Sequence, residues 1–297
     1  MTRIYGFGNA LIDIEITVSE EELVSLGINK GSMVHISASQ KNIWLKQFHK
    51  NIVSKQPGGS IANSLYAAST EGALCSFSCS LGKDKEGKNF IDGFDIKKTK
   101  VFSSLSKKPT GVCFIFITPD GERTMASNLS ANEDLSPENL NKFALLRSHW
   151  LVFDAFSVCT PNGFKTAKEA IKMAKKKQLK IAFGLADVNV IKSNLKEINW
   201  VLNQKIDLVV GNEIELELLH KTTKIYSNTL CSLGSKGAKF NKITISTRKI
   251  PIINSNGAGD ALLGIFLFFI DKLGPEDSLQ LAVSYATEVC LVGGPRL

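Results

Sequence analysis

The stretch INSNGAGDALLGIF, residues 253–266, governs the reading of the chain. Three small residues, Gly257, Ala258 and Gly259, precede Asp260, and the apolar run ALLGIFLFFI (261–270) follows. A bilayer-spanning helix needs about 20 residues, so this shorter run reads as a buried helix. Backbone N–H groups at a helix N-terminus, with the helix dipole behind them, form an anion site, and residues almost without side chains let a phosphate approach closely. A carboxylate in that first turn is held ionised by the same positive end and can accept a proton from an attacking hydroxyl, as phosphoryl transfer requires. Taken alone, the stretch fits equally well an ordinary first-turn Asp beside packing glycines.

An earlier stretch, KQPGGSIANSLYAAS (55–69), has the same design. Pro57-Gly58-Gly59 reads as a turn, Ser60 as a helix cap, and IANSLYAA as an apolar helix with Asn63 one turn in. A plain glycine turn before a capped helix accounts for it too.

Outward from these loops, HWLVFDAF, KIAFGLAD, IDLVVGNE and NTLCSLGS are short apolar runs ending in polar residues or glycine. Helical segments separate most of them, clearly at 162–178 and less so at 190–203. Strands alternating with helices imply a parallel sheet covered on both faces. RIYGFG and ALCSFSCSLG add two strands, and GVCFIFITPDGERTMASNL reads as a hairpin folded at Pro119-Asp120-Gly121. Residues near 12–18, 32–37 and 110–128 look like antiparallel strand material without helices between them. The expected fold is therefore α/β, a doubly wound, mostly parallel sheet with helices on both faces, plus a small β-sheet lid. The expected division gives 1–11, 39–95 and 129–297 to the body and 12–38 and 96–128 to the lid. Ligands in such sheets bind beyond the carboxyl ends of the strands.

The 297 residues carry 36 Lys and Arg against 28 Asp and Glu, a net charge of +8. The lysines in KEAIKMAKKKQLK recur around an apolar helical pattern and read as a solvated face, without the aromatic residues that single-stranded nucleic acid binders interleave. No nucleic-acid or membrane partner is expected, and the opening MTRIYGFGNALIDIEI lacks the unbroken apolar segment of a signal peptide, so a cytoplasmic protein is expected. Six scattered cysteines, with no C-x-x-C pair, read as buried free thiols.

Two ordered motifs carry a resemblance: GGSIANSLYAAS (58–69) is similar to the N-terminal Gly-Gly motif of the PfkB (ribokinase-like) carbohydrate and nucleoside kinases, and NSNGAGDALLGIF (254–266) to their GAGD motif. GFGNALIDIEI, SLGKDKEGKNF, PTGVCFIFITPDGERTM and VVGNEIELELL resemble family segments in the same order. GNALIDI, KGSM and GERTMASNLSAN resemble the adenosine-kinase-like branch. The resemblance implies an ATP- and Mg²⁺-dependent kinase acting on a primary hydroxyl of a nucleoside or sugar. Sugar kinases of the ribokinase or fructokinase type, and a member that binds without turnover, are the alternatives.

By the same resemblance, Asp260 matches the catalytic base, and Gly257, Ala258 and Gly259 the anion hole. Asp13 with Asn9 matches the grip on substrate hydroxyls, joined by Gly58, Gly59 and Asn63. Asn212 and Glu215 fit the N-x-x-E element that organises Mg²⁺ and phosphate through water. Ser232, Gly234 and Gly237 fall in SLGSKG, which resembles the nucleotide loop. Arg123 is a candidate phosphate clamp, or a solvated hairpin charge. Phe156 is a candidate stacking partner for a base, or simply core. The family's usual Asp-Thr-Thr before GAGD is Asn254-Ser255-Asn256 here. Asn254 thereby keeps an oxygen for a monovalent cation such as potassium but loses the charge. Relatives of this kind are monomers or dimerise through the lid.

Overall fold

The computed structural model describes residues 1–223 and 227–297. Fourteen strands among the described residues form two sheets. They are β1 (Arg3–Phe7), β2 (Leu11–Thr17), β3 (Met33–His35), β4 (Ile52–Gly58), β5 (Leu74–Gly82), β6 (Thr99–Ser106), β7 (Gly111–Ile117), β8 (Arg123–Asn128), β9 (Trp150–Asp154), β10 (Lys180–Gly184), β11 (Leu208–Asn212), β12 (Asn228–Ser232), β13 (Ala238–Phe240) and β14 (Ile243–Ile245).

The large sheet runs β14-β13-β12-β11-β10-β9-β1-β5-β6. Its strands pair in parallel from β12 through β6, and β13 and β14 close one side antiparallel. Each central strand is apolar on both faces because each face is covered. Tyr5, Phe7, Leu151, Phe153, Ile181 and Phe183 pack one way, against the helix Pro161–Lys176. Ile4, Trp150, Val152, Ala182 and Phe77 pack the other way, where the helices Ser60–Thr70 and Ala258–Leu273 lie. From β1 the chain continues to β5 and β6 on one side, then returns to β9 on the other. The sheet's switch point therefore lies between the ends of β1 and β9, at Gly8-Asn9 and Asp154.

The small sheet runs β3-β8-β7-β2-β4. β2 alternates strictly: Ile12, Ile14 and Ile16 join the core with Phe114, Phe116 and Trp44, while Leu11, Asp13 and Glu15 occupy the other face. The expected 110–128 hairpin forms as β7 and β8. The sheet is mixed, however: β2 pairs in parallel with β7, and β3 with β8. Sheet membership also departs from the expected division. β4, within the stretch expected in the body, pairs antiparallel with β2, and β6, within the stretch expected in the lid, extends the large sheet beside β5. Pairing partners are set by long-range contacts that local pattern does not encode. The helical stretch expected at 190–203 divides at Asn194 into Val188–Ser193 and Leu195–Leu202. All six cysteines are free; Cys75, Cys79, Cys113 and Cys231 are buried, and Cys159 and Cys290 are half-buried. No helix among the described residues is long and apolar enough to cross a membrane.

Candidate active site

Two helices bring the two glycine loops together. Ser60–Thr70 and Ala258–Leu273 pack so closely that a Cβ at Gly264 would overlap the Ser64 carbonyl. One turn before that contact on each helix stand Ser60 and Asp260, which therefore face each other. Ser60 Oγ donates to Asp260 Oδ1 (2.5 Å) and Asn63 Nδ2 donates to Oδ2 (3.0 Å). Ser60 is thus not the expected cap: Gly59 occupies that position, and the Ser60 hydroxyl is spent on Asp260.

Gly257 caps the Asp260 helix in the left-handed region (φ 77°), a conformation glycine adopts without strain. Ala258 N–H reaches Ser255 O (3.4 Å) and Ala261 N–H reaches Gly257 O (2.8 Å), while the N–H groups of Gly259 and Asp260 between them take no backbone acceptor among the described residues. A Cβ built on Gly259 would meet nothing within 4 Å beyond its own helix turn, so there is room beside this helix end.

Opposite them is the polar face of β2. Asp13 is buried, and Asn256 Nδ2 donates to its Oδ2 (3.3 Å). A Cβ on Gly58 would overlap the Asp13 carboxylate, and one on Gly59 (φ 99°) the Asn9 carbonyl. Asn132 braces the adjoining loop, accepting from Ala10 N–H (2.7 Å) and donating to Ala10 O (3.0 Å). Asn254 Nδ2 donates to buried Glu15 (2.6 Å), which also accepts from Ser54 (2.8 Å), and Asn254 Oδ1 accepts from Asn256 N–H (2.8 Å). Arg123 Nη1 donates to Ser255 Oγ (2.6 Å). Each side chain of 254–256 is therefore tied to the small sheet.

A cleft of about 780 Å³ opens beside the Asp260 helix, lined by Ser232, Gly234, Gly237, Ser255 and Gly259 among others. A smaller cavity of about 200 Å³ contains Ser60, Asp154, Asn212, Glu215 and Asp260. The two share Ser232, Gly259 and Leu262, so Asp260 stands where they meet. Asn212 and Glu215 close a capping box: Asn212 Nδ2 donates to Oε1 (2.8 Å) and Asn212 N–H to Oε2 (3.0 Å).

Burial controls the electrostatics. It pushes Asp13 up from 3.8 to about 7, against the Asn256 hydrogen bond and the Arg296 charge, with Asp260 and Glu15 adding repulsion. Asp154, at the switch point, is pushed by burial to about 6 despite the Ser157 hydrogen bonds. Burial also raises Asp260, partly offset by Ser60, Asn63 and Arg296. The expected ionising pull of the helix end is outweighed. A carboxylate raised in this way takes up a proton more readily than an ordinary surface carboxylate.

Of the residues singled out from sequence, Asp260, Gly257, Ala258, Gly259, Asp13, Asn9, Gly58, Gly59 and Asn63 converge here. Glu215, Asn212, Ser232, Gly234 and Gly237 line the adjoining cavities. Phe156 lines neither and is half-buried against the core cluster under the sheet. Sequence reasoning gave no role to Arg296, Asp154, Glu15 or Asn132, and only a capping role to Ser60. For Glu15, the alternation of LIDIEI already placed it on the face of Asp13.

The family model described as "pfkB family carbohydrate kinase" matches residues 31–297. Adenosine kinase 2 of Arabidopsis thaliana is 24% identical, over 97% of this chain and 93% of its own. Deoxyribokinase of Salmonella typhi is 24% identical, over 77% and 79%. The solved structure of adenosine kinase from Sinorhizobium meliloti superposes with a TM-score of 0.92 at 22% identity, covering 100% of this chain and 96% of that one.

Proposed function

The chain belongs to the pfkB family of carbohydrate kinases, phosphotransferases that act on hydroxyl groups, and we propose that it transfers a phosphoryl group from ATP to a primary hydroxyl of a nucleoside or sugar, an adenosine-like nucleoside foremost. The observation that carries this reading is the carboxylate of Asp260 at the meeting of a nucleotide-sized cleft and an inner cavity, with both oxygens held and bare helix N–H groups beside it.

In this reading Asp260 takes the proton of the acceptor hydroxyl, and the bare N–H groups of Gly259 and Asp260, in the 257–260 turn, stabilise charge developing on the transferring phosphoryl oxygens. Asp13 grips acceptor hydroxyls, in a pocket shaped by Asn9, Gly58, Gly59 and Asn63. Ser232, Gly234 and Gly237 form the wall against the nucleotide. Kinases of this family generally use ATP with Mg²⁺. The donor set fits that ion: Mg²⁺ keeps most of its waters and binds through one or two carboxylates plus substrate phosphates, and Glu215 offers one buried carboxylate facing the Asp260 cavity. When bound, Mg²⁺ supplies positive charge to the phosphate oxygens. Arg123, half-buried against Ser255, adds a cation beside the anion hole. The similarity of GNALIDI, KGSM and GERTMASNLSAN to the adenosine-kinase-like branch supports the nucleoside.

The test is ADP release with ATP and Mg²⁺ against adenosine, other nucleosides, deoxyribose, ribose and fructose, with and without potassium. Turnover on adenosine or a close analogue supports the proposal. Turnover on a free sugar alone moves the acceptor to the sugar branch. Silence on every acceptor, with ATP still raising the melting temperature, overturns the kinase reading in favour of a binding protein.

A further inference from the structure

Arg296 lies in the stretch VGGPRL (292–297) and reaches the site through Asn63. The chain around it is tightly seated. A Cβ on Gly257 would press on Pro295, and one on Gly294 would overlap the Gln56 side chain. Tyr66 Oη donates to Leu297 O (2.8 Å). The guanidinium packs against two rings, 4.8 Å from the Tyr66 centroid and 4.6 Å from that of Phe94. Its Nη1 donates to Gly93 O (3.2 Å) and its Nε to Asn63 Oδ1 (3.0 Å), while Nη2 is buried without a partner among the described residues.

The bond to Asn63 has a consequence for the proton acceptor. An amide can be turned to exchange its oxygen and nitrogen, and only its neighbours decide which way it sits. Here one neighbour, the guanidinium, can only donate, and the other, ionised Asp260, can only accept. Only one orientation satisfies both, with Oδ1 towards Arg296 and Nδ2 towards Asp260. Asn63 in turn fixes one oxygen of Asp260 while Ser60 fixes the other.

We propose that Arg296 is the positioning residue of this site: its clamped guanidinium sets the Asn63 amide, and through it holds the Asp260 carboxylate in the orientation that receives the acceptor proton. The proposal rests on the reading of Asp260 as base. The guanidinium faces the carboxylates of Asp13 on β2 and Asp260, and the Tyr66 hydroxyl; Glu15 and Asp154 lie one neighbour further, beside Asp13 and Asp260 respectively. Its charge opposes the effect of burial on both facing carboxylates.

The experiment compares Arg296→Met and Arg296→Lys with the parent chain. Losing a charged hydrogen bond in the site corresponds to about ten- to hundredfold in rate. Arg296→Met is expected to lower kcat by that factor, leave the nucleotide KM unchanged, and move the acid limb of kcat/KM to higher pH. Arg296→Lys keeps the charge but not the planar fork, so it should restore the acid limb while kcat stays low. Adding Arg296→Met to Asn63→Ala should cost little more than Asn63→Ala alone. An unchanged kcat and acid limb in Arg296→Met, or full additivity with Asn63→Ala, would overturn the proposal. If the parent chain turns over no acceptor, the kinase reading fails and melting temperatures decide this one. A stability gap between parent and Arg296→Met that widens from pH 5 to pH 8 supports it, and a gap constant with pH overturns it. Should Arg296→Met not fold, Arg296→Lys decides: parental kcat overturns the proposal, and where the parent is inactive, so does a stability gap to the parent that varies with pH.

Discussion

Buried carboxylates of the site set opposite pH trends, Asp13 for stability and, in the proposed reaction, Asp260 for activity. The folded value of Asp13, about 7, lies above the ordinary 3.8 because burial disfavours the charged form. Between those values the unfolded chain binds fewer protons than the folded one, so this group's contribution to stability is full below 3.8 and is lost as pH rises towards 7. In the proposed reaction the trend runs the other way, because Asp260, also raised by burial, would have to be ionised to accept a proton. We expect the acid limb of kcat/KM to lie above the range in which ordinary carboxylates titrate. Asp13→Asn should gain stability relative to the parent between pH 5 and pH 8, read by thermal melts. A kcat/KM flat from pH 8 to pH 5 would show that no raised carboxylate controls the reaction.

At the scale of elements, the site depends on the contact between the helices Ser60–Thr70 and Ala258–Leu273. Gly264 has no room for a methyl group against the Ser64 carbonyl. Gly264→Ala must push the helices apart, and overpacking of this kind costs about 1–3 kcal/mol. Urea unfolding should report that loss, and turnover should drop further than stability because Ser60 and Asn63 retreat from Asp260. Parental stability and turnover together would mean that the contact does not set the site. The glycine loops that start these helices were legible because their residue types are demanded locally, by close approach and by positive φ. Their mutual contact was not, since Gly264 looks in sequence like any small residue in an apolar run. The same limit explains β4 and β6: each reads locally as a strand, and only pairing decides its sheet. Arg296 was illegible for a related reason, being a single cation without periodicity whose partners lie at 63, 66, 93 and 94.

Across the whole molecule, the tripeptide Asn254-Ser255-Asn256 ties the small sheet to the Gly257–Asp260 helix end through Glu15, Arg123 and Asp13. If the small sheet closes as a lid, these bonds would carry its movement to the helix end proposed to hold phosphate. Among the described residues, Asn254→Ala leaves buried Glu15 with Ser54 as its remaining side-chain donor. Stranding a buried polar group costs about 1–3 kcal/mol, more for a charged one. Chemical denaturation should show that loss, together with a higher acceptor KM; no change in either would remove the tripeptide from the coupling. The doubly wound sheet was readable from alternating apolar runs, because parallel strands buried on both faces leave that pattern. The reading of Asp260 as base requires residues 60–63 and 260, brought together by this fold, to act as one proton-accepting site. Its most direct test is kcat for Asp260→Asn on the acceptor that the parent chain turns over, with ATP affinity measured alongside. We predict a fall of about a hundredfold or more with ATP affinity retained. Turnover close to that of the parent would contradict the account.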